Sequence, residues 1–418
     1  MRIAIVSSLF PPFAIGGAEE AAAQLALGLR DAGHEVAVVS TCRRADLKHG
    51  DCRIDNWEGI PVWRIAPWNL YWKFDQALEN PNRLRRTAWH ALDLWNISTT
   101  FPLDRVLSGI APEVINTHNI DGLSPVVWRI AQRHTEAIAH TLHDCHLLCP
   151  RATMRKRNGT PCDRLCAGCR GYAAYHLLFR RYVKLLIAPA KATAEVHKQA
   201  GWPAPRIAVI ANGLDAAPAQ VPAAPQDGPL RVVFMSRLER EKGCETLIRV
   251  IEQCRQSDEI DFHVAGKGTY ATKFENLCRD FPNVKWRGFV AGSAKQDLLT
   301  NGDVFLQLSE CHENAPLSLI EAKRYGLYLI GSRIGGIPEI IDSAEAGMLL
   351  QPGNASALFA ILRDLRDTRK ALRANRATRV KGAGAYGRLE MAQQYAGAFR
   401  SLLDTNGSRL AVRRASAL

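Results

Sequence analysis

The strongest constraint on this chain is a pattern: a strand-sized apolar run rich in β-branched residues, a turn of small residues, then a helix-length stretch, repeated along both halves. In the first half the runs are Arg2–Ser7, Glu35–Ser40, Val62–Ala66, Val114–His118, Ala137–Leu142, Leu185–Pro189 and Ile207–Ala211. The second half continues with Arg231–Ser236, Asp261–Ala265, Val284–Gly288, Val304–Leu308, Tyr328–Ser332 and Gly347–Leu350. Alternation of this kind predicts α/β architecture with parallel sheets. Between the halves, the stretch 215–229 is dense in alanine and proline and reads as a linker. At about 100 to 200 residues per domain, 418 residues suit two doubly wound domains.

Composition narrows the class. Hydrophobic residues at 47% and charged residues at 23% exclude a disordered or collagen-like chain. The longest apolar runs fall far short of the ~18 residues that span a bilayer. Arg2 leads at once into a short apolar run and then Pro11-Pro12, without the long apolar region of a secretory signal, so the expected location is cytoplasmic. The net charge of +13 is concentrated: Arg151–Lys191 and Phe359–Leu418 each carry a net +9. Anionic partners are expected to meet those two regions, unless they are simply solvated faces.

Ligands of doubly wound domains bind at the carboxyl ends of strands. Five strand-end loops therefore matter. Gly16-Gly17 precedes the helical stretch from Ala18, where backbone N–H groups and the helix dipole favour phosphate; a tight turn explains the glycines equally well. Arg237 and Lys242, five positions apart, can clamp a diphosphate, one as a planar fork and the other as a point charge. Gly266 and Gly268 allow a second close backbone approach. Glu313 and Glu321, eight apart, bracket a helix start through Asn314, Ala315, Pro316 and Leu317. Ionised carboxylates only accept hydrogen bonds, so two of them can grip hydroxyl-rich groups. Gly335-Gly336-Ile337-Pro338-Glu339 adds a further glycine pair on the same edge.

Taken in order, Gly16-Gly17-Ala18-Glu19, Asn212-Gly213-Leu214-Asp215, Arg237 with Lys242-Gly243, Glu313 with Glu321, and Gly335 to Glu339 resemble the family 4 (group 1) retaining glycosyltransferases over nearly the whole chain. The resemblance implies the GT-B architecture, two Rossmann-like domains facing across a cleft. On this reading residues 1–215 form an acceptor-binding domain with a Cys-containing basic insert at about 145–175, and 216–229 the linker. Residues 230–385 form the nucleotide-sugar-binding domain, and 386–418 a helix crossing back to the first domain, with a tail.

By the same resemblance Arg237 and Lys242 neutralise the donor diphosphate, Glu321 accepts from the nucleotide ribose, Glu313 contacts donor-sugar hydroxyls, and His118 faces the transferred sugar. Gly16, Gly17, Gly266, Asn314, Ala315, Pro316 and Leu317 complete the expected donor site. Asn314-Ala315-Pro316 departs from the family's commoner Gly-Phe-Gly or Gly-Phe-Pro, so the donor sugar is not legible here. The donor is expected to be a nucleotide-sugar, UDP-linked first, with no obligatory metal ion. The acceptor is expected to be a glycan or lipid-linked hydroxyl in surface polysaccharide or glycolipid synthesis.

Two segments lie outside that scheme. Cys149, Cys162, Cys166 and Cys169, spaced C-x12-C-x3-C-x2-C, suit a structural Zn site, reduced thiols or a disulfide. The stretch 176–186 interleaves aromatics, leucines and cations and reads either as a helix lying on an anionic membrane or as one packed on the sheet. Two other function classes stay in view, a nucleotide-sugar epimerase of similar fold and a nonenzymatic nucleic-acid or ligand binder. The chain lacks nucleic-acid motifs, so no specific nucleic-acid partner is expected.

Overall fold

The computed structural model describes residues 1–13, 16–47, 52–74, 82–156, 160, 162, 164–203, 206–215, 227–254, 259–380 and 386–415. Eight strands form the first sheet: β1 (Arg2–Ser7), β2 (Glu35–Thr41), β3 (Cys52–Trp57), β4 (Ile60–Ile65), β5 (Val114–Thr117), β6 (Ile138–Thr141), β7 (Leu185–Ala188) and β8 (Ile207–Val209), in the order β3-β4-β2-β1-β5-β6-β7-β8. The second contains β9 (Leu230–Met235), β10 (Ile260–Ala265), β11 (Val284–Trp286), β12 (Val304–Gln307), β13 (Tyr328–Ser332) and β14 (Gly347–Leu350), in the order β11-β10-β9-β12-β13-β14. Strand order reverses beside β1 and beside β9, which opens a crevice at the carboxyl edge of each sheet. Most of the predicted linker, 216–226, lies outside the described residues.

Every predicted run becomes a strand, and β3 is added to them. It pairs antiparallel with β4 through a turn at Glu58 and Gly59, both with positive φ (50° and 81°). As an edge strand β3 has no second apolar face to bury, so it lacks the apolar run that marks the others.

Helices cover both faces of the first sheet, and one cover comes from the far end of the chain. Met391, Ala392, Tyr395 and Phe399 of the helix Arg388–Ala415 pack with Ile3, Ile5, Leu25, Leu29 and Val36. Gly28 lets the two helices touch: a Cβ there would lie 2.8 Å from the Arg388 carbonyl oxygen.

Two readings of charge and polarity meet the structure here. The helix within 176–186 ends at Leu178; Phe179, Tyr182, Val183 and Leu186 are buried in the first core, while Leu178, Arg180 and Arg181 are exposed. The segment enters β7 with its apolar residues packed on the sheet, the second of the two readings of this stretch. In the basic 359–418 region, Arg373, Arg376 and Arg379 are buried. Arg373 pairs with Asp303 at 2.8 Å, Arg376 donates to the carbonyls of Leu299, Gly302 and Tyr325, and Arg379 to those of Gly326 and Leu372. These guanidinium groups satisfy helix-end carbonyls and are not a surface for anionic partners.

The two halves meet through the loops at the carboxyl ends of their strands. Glu339 accepts from the N–H groups of Lys191 and Ala192, both at 2.8 Å, and so caps the helix Lys191–Gln199 of the first half. Thr193 Oγ1 donates to Asn314 Oδ1 (2.8 Å), Asn212 Nδ2 to the Ala315 carbonyl (3.1 Å), and Arg155 pairs with Glu310 (3.2 Å).

The helix Arg388–Ala415 is part of the first core, so truncating its largest anchor is expected to unfold that core. Phe399→Ala is predicted to cost about 3 to 5 kcal/mol, as buried Phe→Ala changes do. Guanidinium unfolding at two wavelengths checks it; a loss under about 1 kcal/mol would mean the helix is not integral to the core.

Candidate functional site

β12 ends at Gln307, and the chain crosses the crevice as a loop before the helix Leu317–Arg324. Glu313 sits in that loop, its carboxylate bonded to Lys242 Nζ and 2.5 Å from Ser309 Oγ. Ser309 is itself held by Gln307 Nε2 at 2.9 Å. Burial pushes the Glu313 carboxyl up, but the Lys242 charge and these hydrogen bonds outweigh it and hold it below its ordinary value. For Lys242, burial is likewise outweighed by Glu313, which keeps the ammonium charged. Arg237, exposed after β9, lies within electrostatic range of both. Among the described residues it has no ion-pair partner.

Glu321 lies about one turn into the next helix, where Lys295 Nζ bonds it at 2.5 Å. A recess of about 180 Å³ opens beside it, lined by Glu20, Asp215, Lys295 and Arg324 among others.

Glycines bring the loops together. A Cβ on Gly336 would lie 1.7 Å from the Asn314 carbonyl oxygen, and one on Gly335, whose φ is +57°, 2.1 Å from that of Glu313. Only glycines let this turn seat itself under the Glu313 loop. Gly266 is likewise required by its approach to Ser236, and its N–H is taken by the Gly288 carbonyl at 2.8 Å. Gly17 starts the helix Gly17–Asp31 beside Leu317, 3.7 Å from where its Cβ would be. The Gly16 N–H predicted to approach an anion is engaged by Glu19 at 2.7 Å.

The first half contributes imidazoles. His118, at the end of β5, is 2% exposed, with Asn116 Nδ2 at 2.9 Å from its Nε2 and His143 Nε2 at 2.7 Å from its Nδ1. The two rings stack at 4.9 Å. Beyond them, Lys73 pairs with Asp121, and Trp68, Tyr71, Trp72, Phe74 and Trp89 line a recess of about 290 Å³.

The sequence-predicted residues thus divide into two groups. Arg237, Lys242, Glu313, Asn314, Ala315, Pro316, Leu317 and Glu321 share the carboxyl edge of the second sheet, and Gly17 reaches them from the first. The cysteines do not join them. None of the 11 cysteines is disulfide-bonded. Cys166 caps the helix Ala167–Leu178 by accepting from the Cys169 N–H at 3.5 Å, and the Cys169 thiol is pushed up to about 12 by burial and the neighbouring sulfurs of Cys166 and Cys149. Among the described residues no group of three or more His, Cys, Asp or Glu side chains is placed to hold a metal ion. Lys295, Ser309, the capping role of Glu339 and the His143 contact were not read from the sequence; each depends on a partner 4 to 148 positions away. Among the described residues no helix is long and apolar enough to cross a membrane.

Comparison with known proteins places this geometry in context. Residues 15–217 match the model described as Glycosyltransferase Family 4, and residues 219–381 that described as Glycosyl transferases group 1. An uncharacterized 42.6 kDa protein in the cps region of Klebsiella pneumoniae is 24% identical over 341 residues, 81% of this chain and 87% of the relative. The glycogen synthase of Mycobacterium tuberculosis is 26% identical over 380 residues, 87% of this chain and 86% of that one. Among solved structures, Anabaena Alr3699/HepE in complex with UDP superposes with a TM-score of 0.69 at 19% identity, over 96% of this chain and 100% of that one.

The buried imidazoles make stability depend on pH. Burial holds His143, His176 and His197 at about 4, and His118 and His140 well below the ordinary 6.5. The unfolded chain takes up these protons near pH 6.5 while the fold refuses them. Stability is therefore full above about 6.5 and falls toward pH 4, by about 1.4 kcal/mol per pH unit for each histidine. Asp93, raised to about 7 by burial and by Asp121, opposes this with one proton that the fold retains. Melting temperature is expected to fall steeply from pH 6.5 to 4.5. A flat profile would mean these imidazoles are charged in the folded protein.

Proposed function

This chain belongs to the family 4, group 1 glycosyltransferases, and we propose that it is a retaining enzyme moving a sugar from a UDP-linked donor to a hydroxyl of a glycan or lipid-linked acceptor. The observation that carries the reading is the cluster at the carboxyl edge of the second sheet, where Lys242 and Arg237 converge beside Glu313. A departing nucleoside diphosphate gathers negative charge as the sugar becomes oxocarbenium-like, and fixed cations stabilise that charge most where water is excluded. Lys242 has three N–H donors, so it can keep Glu313 and still take a phosphate oxygen. Arg237 supplies the planar fork from the exposed side. Glu313 then faces donor-sugar hydroxyls, Glu321 the ribose, and His118 with His143 closes the site from the first half. No metal cofactor is invoked. Retention follows a front-face path, with the diphosphate helping to deprotonate the acceptor.

The aromatic recess around Trp72 and Trp89 is assigned to the acceptor, since flat rings pack against sugar faces while Lys73 and Asp121 at its floor meet hydroxyls. Trp68, Leu84, Trp95, Ile97 and Phe101 are exposed near it, with Arg83, Arg85 and Arg86 on the adjoining helix. This surface suits an anionic membrane on its cytoplasmic side, where a lipid-linked acceptor for envelope polysaccharide or glycolipid would be presented.

Thermal melts with UDP, GDP, ADP, TDP and CDP test the donor site. Ligand at 100 times its dissociation constant adds about 2.7 kcal/mol. One diphosphate is expected to raise the melting temperature of the parent and of neither Arg237→Ala nor Glu321→Ala; a shift kept in both variants would refute the assigned site. Removing the Arg237 or the Lys242 charge should also cost about 2.7 to 4 kcal/mol in the barrier. For the membrane surface, binding to anionic liposomes should weaken with salt and with Trp68→Ala combined with Leu84→Ala, and indifference to lipid charge would overturn it.

A further inference from the structure

The second sheet is apolar on one face and polar on part of the other. Leu230, Val232, Phe234, Phe262, Val264 and Val284 face the second core. The alternate positions of the same strands hold Arg231 on β9, Asp261 and His263 on β10 and Lys285 on β11, with Val233, His263 and Lys285 in register. A parallel strand buried on both faces is apolar on both, so these residues floor a cavity and not a core. The helix Gly292–Asn301 covers it in part, leaving about 390 Å³ between Arg231, His263, Arg287, Asp297 and Asn301. Arg287, Asp297 and Asn301 are exposed, so a small ligand can enter.

Two donors in this cavity lack acceptors. Arg287 Nη2 lies 3.1 Å from His263 Nδ1. A guanidinium only donates, so Nδ1 accepts and the neutral ring carries its proton on Nε2. The ring is neutral because burial and the charges of Arg287, Arg231 and Lys285 hold it at about 4. His263 Nε2 is buried without a hydrogen-bond partner among the described residues, and so is Arg231 Nη1. Buried donors are costly to leave unmet, and both of these call for an acceptor. Among the described residues Arg231, Lys285 and Arg287 also have no ion-pair partner. Asp261, opposite Arg231, is pushed up by burial against the pull of these three cations, which leaves less negative charge beside them. An oxygen-rich dianion supplies what is lacking, since two guanidinium groups and an imidazole N–H match the several oxygens of a phosphate. Asp297 at the mouth would repel a bare anion, but as an acceptor it suits hydroxyl groups, and Val233, Val290 and Leu298 give the cavity an apolar wall.

We propose that this cavity binds a hydroxyl-bearing phosphomonoester, its phosphate between Arg231, His263 and Arg287 and its hydroxyls toward Asp297, and that the helix Gly292–Asn301 carries its occupancy to the donor site. Ala294, Asp297, Leu298 and Asn301 line this cavity, while Lys295, Gln296 and Leu299 turn the other flank of the same helix to the recess beside Glu321. The two sites share no residue, and Lys295 ties that second flank to Glu321. A ligand that draws Asp297 toward the sheet shifts Lys295, and with it the carboxylate assigned to the ribose. The cavity stands on its own residues; the coupling rests on the transferase reading above.

Titration calorimetry of the full chain tests the cavity, with a hexose 6-phosphate, the free hexose and inorganic phosphate as probes. The hexose phosphate is expected to bind about tenfold or more tighter than either fragment. Arg287→Gln, at an exposed position, and His263→Asn should each weaken it about tenfold, as loss of a hydrogen bond to a charged group does, and leave the melting shift with UDP unchanged. A hexose phosphate that fails to bind the parent, or that binds both variants as it binds the parent, overturns the site; affinity no better than that of inorganic phosphate overturns the assigned ligand class. For the coupling, bound hexose phosphate should change the UDP dissociation constant of the parent about fivefold or more and that of Arg287→Gln far less. An unchanged constant in the parent overturns the coupling. A parent that binds no nucleoside diphosphate counts against the transferase reading, while the hexose phosphate titration still decides the cavity.

Discussion

The site depends on a helix terminus in one half being capped by a carboxylate from the other. Unpaired N–H groups at the start of the helix Lys191–Gln199 carry partial positive charge, and Glu339 satisfies two of them across the crevice. The same turn, through Gly335 and Gly336, lies directly beneath Glu313 and Asn314. Asn314 and Ala315 are in turn held by Thr193 and Asn212 of the first half. The loop bearing the central carboxylate is thus braced from below by its own domain and from the front by the other. Its geometry and the closure of the cleft are one problem with one solution.

Electrostatics follows from that closure. Charges enclosed at the crevice are paired, as Lys242 is with Glu313, because an isolated buried charge would shift its protonation or pull in water. The first half avoids the difficulty by keeping its imidazoles neutral. The buried arginines of the carboxyl-terminal region serve a third purpose, satisfying carbonyls at helix ends where several helices converge.

The central parallel strands were legible because they are buried on both faces and must be continuously apolar. The antiparallel edge strand β3 was not, since its pairing rests on a hairpin turn and one neighbour. The donor-side residues were legible because spacing within one strand-end loop is local: Arg237 with Lys242, and Glu313 with Glu321. Lys295 could not be read, as its meeting with Glu321 depends on how the helix Gly292–Asn301 crosses the sheet. The cysteine spacing left several chemistries open because spacing alone does not orient sulfurs; here Cys166 serves as a helix cap. The aromatic stretch after His176 left two readings open because periodicity records that a face is apolar and not whether protein or lipid covers it.

Sequence alone determined the two doubly wound halves and the cations and carboxylates at the carboxyl edge of the second sheet. Each of these follows from local periodicity and from the rule that strand-end loops carry chemistry. Tertiary structure decided which cations face solvent and which helix completes the first core. Those outcomes belong to residues far apart in the chain, such as Tyr395 and Thr141, whose meeting depends on packing. Composition and spacing carry no record of it, because burial and hydrogen-bond direction arise only when distant elements enclose the same volume.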